Sequence, residues 1–178
     1  FRSKHKNSSD IGGNPMSEWH SEWQSNFPVT EVFFPKINDK QIKDRRADAL
    51  IQEHNIIIEF QHSKPNPEEI INRKHDYNLH NKEIIWVIDG NGITFKKLDS
   101  NNRCFLDFSR LNTSWKYQEF SSCYDIIFID IDGYIYKVSP KHVKSDMIDV
   151  ECPIEKSLFI QHLNTNNDYL RTYDHPNQ

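Results

Sequence analysis

Long apolar runs, clustered cysteines and an excess of basic charge are all missing from this sequence. No stretch approaches the roughly 20 apolar residues that cross a bilayer, and the basic start FRSKHK is not followed by the apolar region of a secretory signal. A soluble, cytoplasmic protein without a membrane partner is the expectation. The three cysteines, Cys104, Cys123 and Cys152, are odd in number, far apart and free of CxxC spacing, which argues against a disulfide framework or a zinc knuckle and leaves packing as their role. With 26 acidic against 22 basic side chains the formal net charge is -4, which argues against nucleic-acid binding by bulk positive charge and leaves room for a local basic groove. Internal repeats and low-complexity tracts are absent as well.

What is present suffices for one core: 178 residues, 36% hydrophobic and 12% aromatic. The polar segment HKNSSDIGGNP makes residues 1–15 a linker from a preceding module, with 16–178 as the domain, divided into a core (16–89) and an extension (90–178). MSEWHSEWQSNF spaces Trp19, Trp23 and Phe27 as one face of a helix, with Ser17 as N-cap and Glu18 in the first turn. TEVFF is a strand, and ADALIQ and IIIEFQ are two more, joined by a tight turn at Glu53 and His54. The next helix has Asn66 as N-cap and Pro67 at its first position, and places Glu69 one turn before Arg73. EIIWVIDG is apolar on both faces, as an interior parallel strand reached by a helical crossover must be. GITFKKL and CFLDF are candidates to pair, DIIFIDIDGYIYKV is a hairpin turning at Asp132 and Gly133, and PIEKSLFIQHL is a terminal helix. The result is an α/β fold: helix, three strands, helix, strand, with a C-terminal hairpin and helix in an antiparallel extension.

Two acids stand in the strands. If Glu53 and His54 form the turn, facing residues have numbers summing to 107, which sets Asp48 opposite Glu59, Leu50 opposite Ile57 and Arg46 opposite Gln61. Ala47, Ala49, Ile51, Ile56, Ile58 and Phe60 then form an apolar face. Like charges so placed repel, and a divalent cation relieves both. Oxygen ligands from one Asp and one Glu suit Mg2+ or Mn2+ better than zinc, which directs attention to phosphodiester chemistry. The same spacing also fits two solvated acids on an exposed sheet face.

The motifs SEWHSEWQ, RRAD, IIIEFQHS, EEIINRKHDY and IIWVID, in that order over residues 16–89, resemble the nuclease domain of competence protein CoiA-like proteins, within the PD-(D/E)xK (restriction-endonuclease-like) superfamily. The start FRSKHK looks like the tail of the small module that precedes such a nuclease. The resemblance implies a Mg2+- or Mn2+-dependent deoxyribonuclease that hydrolyses single- or double-stranded DNA, or, alternatively, a weakened nuclease fold that only holds nucleic acid during processing or competence. It makes Asp48 and Glu59 metal ligands, with Glu31 or Glu18 completing the shell. Gln61 stands where the signature has Lys and positions water, with His20 assisting. Arg46, placed opposite Gln61, is a candidate for the missing charge, and Gln24, Arg46 and Arg73 face nucleic acid. For Arg73 an ion pair with Glu69 is the simpler role, and for Tyr77 a structural one is favoured. Asp130 and Asp132 are not site candidates, because Asp132 and Gly133 are ordinary turn residues.

Overall fold

A computed structural model of the chain describes residues 17–62, 67–97, 104–107, 126–144, 147–150 and 153–165. The expected first helix is α1 (Glu18–Gln24), and the Ser17 hydroxyl accepts the His20 N–H at 3.2 Å as its cap. Three strands follow as expected: β1 (Thr30–Phe34), β2 (Arg45–Ile51) and β3 (Ile56–Gln61). Between β2 and β3 the chain makes one 3-10 turn, Gln52–His54, and leaves it at Asn55 with φ 58, a left-handed conformation that Asn tolerates. Helix α2 (Pro67–Leu79) then crosses over to β4 (Glu83–Asp89), which runs parallel to β3 and is buried on both faces. The expected cap Asn66 and the expected linker 1–15 lie outside the described residues.

Strands β5 (Thr94–Lys97) and β6 (Cys104–Asp107) pair as expected. So do β7 (Ile126–Ile131) and β8 (Tyr134–Lys144), joined through Asp132 and Gly133, whose φ values of 50 and 80 are those a two-residue hairpin turn requires. The extension is not wholly antiparallel, however: β7 lies parallel to β4 and continues the central sheet. The terminal helix also starts later than expected. Ile154 and Glu155 form a short strand, β10, against the start of β8, after β9 (Met147–Val150) and before α3 (Lys156–Thr165), because Ile154 packs on the core from that position. The strand order is β1-β2-β3-β4-β7-β8, and the long β8 carries on into β9, β6 and β5.

The sheet separates two apolar layers. Ile70 and Tyr77 of α2 cover one face with Leu50, Ile57 and Trp86. On the other, Trp23 and Phe27 at the α1 end and Phe159 and Leu163 of α3 cover Ile58, Phe60 and Phe128. A partly buried ion cluster ties the start of β2 and the loop before it to α2: buried Arg45 binds buried Asp76 and half-buried Glu69, each at 2.6 Å, and Asp76 also accepts the Ile42 N–H at 2.7 Å.

Asp130, near the end of β7, is what docks α1. It is 7% exposed, yet its Oδ2 accepts both indole N–H groups of the first helix, from Trp23 at 2.8 Å and Trp19 at 3.0 Å. Lys156, at the start of α3, reaches the same oxygen at 3.2 Å and lies 4.4 Å above the Trp23 ring. A buried carboxylate is costly unless several donors surround it, and here three do. We predict that Asp130→Ala, which strands two indoles and leaves Lys156 only its contact with Glu22 at 2.9 Å, lowers stability by about 3 kcal/mol or more in urea unfolding, whereas Asp130→Asn, which keeps an acceptor oxygen, costs less.

Candidate functional site

Between β2 and β3 the register follows the expected sum for Ala49 with Ile58, Leu50 with Ile57 and Ile51 with Ile56. There the ladder stops. The Asp48 carboxylate takes the Phe60 N–H for itself through Oδ2, at 2.7 Å, so the expected pairing of Asp48 with Glu59 is replaced by a side-chain bond to the next residue along. The irregularity shows in the packing: Ala47 lies with Leu50 and Ile57, on the opposite side of the sheet from Ala49 and Ile51, with which it was expected to share a face. Its neighbour in β1 is irregular too. Glu31 has φ 53, a left-handed conformation rare outside Gly and Asn and costing of order 1 kcal/mol or more.

The outcome is a compact group of ligand atoms. Those of His20, Glu31 and Asp48 lie within 4.8 Å of one another. His20 Nε2 is 3.3 Å from Asp48 Oδ1 but is buried without a well-aligned hydrogen-bond partner. Burial opposes charge on this imidazole, but contact with Asp48 and the charges of Asp48, Glu31 and Glu59 outweigh it and raise its pKa. Gln24, one turn after His20, donates to Glu31 Oε1 at 2.6 Å and to the Asp48 carbonyl at 3.2 Å, so it holds the two acid-bearing strands together. Arg46, 69% exposed, approaches Glu31 at 3.4 Å and sits opposite Phe33 in the β1 register, not in a ladder with Gln61. A half-buried Asp, an exposed Glu, a buried imidazole nitrogen without a well-aligned hydrogen-bond partner and an exposed Arg together fit a divalent cation beside an anionic substrate.

Glu59 and Glu18 are outside this trio, although the Glu59 charge is near enough to act on His20. Glu59 points from β3 toward α2, where Tyr77 donates to it at 2.6 Å and Arg73 at 2.7 Å. Burial pushes its carboxyl up to about 7 against the lowering effect of Arg73, with the Asp48 charge adding to the rise. Burial and the Glu59 charge likewise raise the Tyr77 phenol, and Glu59 raises the Arg73 guanidinium despite its burial. Arg73 also makes the expected one-turn pair with Glu69, at 3.2 Å. Glu18 precedes His20 by two residues, about 200° around the helix, and so lines a different cleft. The order of the motifs did not reveal the Tyr77 and Arg73 grip on Glu59, although a Tyr and an Arg four apart on one helix were its available signal.

Glu59 gives a pH-dependent stability. Its folded pKa of about 7 lies above the ordinary value of 4.5, so the stability that it contributes is complete below about pH 4.5 and is lost as pH rises through about 7. The urea midpoint of the parent, measured from pH 4.5 to 8, is expected to fall relative to that of Glu59→Gln, which has no proton to lose there.

Curated proteins and solved structures yielded no match. A family model, the nuclease-like domain of competence protein CoiA, matches residues 12–143, which runs past the expected core into the hairpin that carries Asp130. By that match over most of its length, the chain belongs to the family of competence protein CoiA nuclease-like domains.

Proposed function

We propose that the domain is a metal-dependent nuclease of the PD-(D/E)xK type that hydrolyses phosphodiester bonds in DNA. The convergence of the His20, Glu31 and Asp48 ligand atoms within 4.8 Å carries this reading. The succession α1, three antiparallel strands, α2 and a parallel β4 supports the restriction-endonuclease-like core that the sequence resembles. His20, Glu31 and Asp48 are the residues to hold the cation, and the imidazole in the set favours Mn2+ alongside Mg2+. A bound cation supplies charge stabilisation to the phosphoryl oxygens.

The chain's own residues do the rest. Gln24 fixes the spacing of Glu31 and Asp48, and Ser17 caps the helix that presents His20 and Gln24. Gln61, at the end of β3, stands where the resembled signature has Lys and brings no charge; by strand alternation it shares the α2 side with Glu59. Arg46, the exposed cation beside Glu31, receives the phosphate backbone. Arg73 is committed to Glu59 and Glu69.

One observation favours a second reading, a nuclease fold that binds nucleic acid with weakened catalysis: Glu59 is gripped by Tyr77 and Arg73. One set of assays separates the two. With Mg2+ or Mn2+, single- and double-stranded DNA is expected to be cut, and RNA and EDTA serve as controls. Asp48→Ala and His20→Ala each should lower the rate by about 100-fold or more and weaken Mn2+ binding measured by calorimetry. Binding of DNA without cleavage under every metal condition establishes the second reading instead.

A further inference from the structure

A second histidine is held by a carboxylate. His62 follows Gln61 at the end of β3, and its ring lies 6.3 Å from that of Trp19, inclined at 35°, on the α1 side of the sheet. Its Nδ1 is 2.5 Å from Asp89 Oδ2. Asp89 ends β4 with its side chain 9% exposed, and its other oxygen accepts the Asn91 N–H at 2.9 Å, so both oxygens are held. Gly90 secures this exit from β4: a Cβ there would meet Ile131 at 2.5 Å and the Asp130 carbonyl at 2.6 Å, and its N–H donates to that carbonyl at 2.8 Å. A carboxylate at Nδ1 fixes ring and tautomer and leaves Nε2 as the working nitrogen.

That nitrogen belongs to a side chain 53% exposed, lining a cleft of about 610 Å³ at the carboxyl ends of β3, β4 and β7, where ligands enter open α/β sheets. Glu18, Asp130, Asp132 and Lys156 line it too, but Asp130 and Lys156 are occupied with each other and with the α1 indoles. The cleft adjoins the proposed metal group along one strand. Asp48 is bonded to the Phe60 N–H, and His62 stands two residues further on, about 7 Å along the strand. In-line displacement at phosphorus puts the attacking and leaving oxygens on opposite sides, so the groups that serve them must stand apart.

We propose that His62, oriented by Asp89, donates the proton to the leaving oxygen, an inference that rests on the nuclease reading. Water bonds to phosphorus as the bond from phosphorus to the leaving sugar oxygen breaks. That oxygen takes the Nε2 proton of the His62 imidazolium, the attacking water releases one to solvent, and solvent reprotonates Nε2. Gln61 has no proton of this kind to give, and an imidazolium does.

The test uses the full chain, Mg2+ and oligonucleotides with one linkage in which sulfur replaces the bridging 3′ or the 5′ oxygen, since a thiolate leaves without a proton. His62→Gln is expected to slow cleavage of the ordinary linkage by about 100-fold or more and to slow one of the sulfur linkages far less, with a smaller loss of the same pattern for Asp89→Asn. Equal losses on all linkages, or no loss, overturn the proposal while the nuclease reading stands. A parent protein that cuts none of them removes the nuclease reading and this inference together. Urea midpoints of parent and variants identify any loss due to unfolding.

Discussion

The position of α1 depends on one buried carboxylate. Asp130 gathers two indole N–H groups and the Lys156 ammonium, and by doing so holds a helix of only seven residues that could not stand alone in water. The cost of burying the charge is offset by three donors converging on it. Everything presented by α1 follows from this anchor. His20 and Gln24 reach β1 and β2 from one side of the helix, and Trp19 lies between Phe60 and His62. A residue on β7, three strands across the sheet from β2, thus sets the geometry around Asp48.

A second constraint divides the chemistry between the two faces of the sheet. Asp48 ends the β2–β3 ladder by taking the Phe60 N–H, and Glu31 opens a left-handed kink in β1. These two irregularities bring an Asp, a Glu and a His together on the α1 side. Glu59, one residue before Phe60, faces α2 by strand alternation, and Tyr77 and Arg73 hold it there. Strain and a broken ladder at this point match the general pattern in which local rules are violated at functional sites and compensated elsewhere.

Much of the fold was legible in the sequence because short-range rules govern it. Ser17 at a helix start, Pro67 at a first helical position, the double-sided apolar run of β4 and the Asp132–Gly133 turn each specify local backbone with little help from distant residues. The hairpin sum of 107 was correct for three residue pairs for the same reason. It failed at Asp48, where a side chain competes with the backbone for a donor, and no periodicity records such a competition. The partners of Asp130 were equally hidden. Two Trp residues four apart announce two indole donors in need of acceptors, but the acceptor lies 107 positions from the nearer of them.

The sequence by itself determined the element order from α1 to β8, the family and the short list of acids and histidines from which a site could be assembled. Only the tertiary structure decided which of them meet: Glu31 with Asp48 and His20, Glu59 with Arg73 and Tyr77, His62 with Asp89. The physical reason is that secondary structure answers to neighbours along the chain, whereas the direction of a buried polar side chain answers to whichever donor or charge the packing brings within about 3 Å.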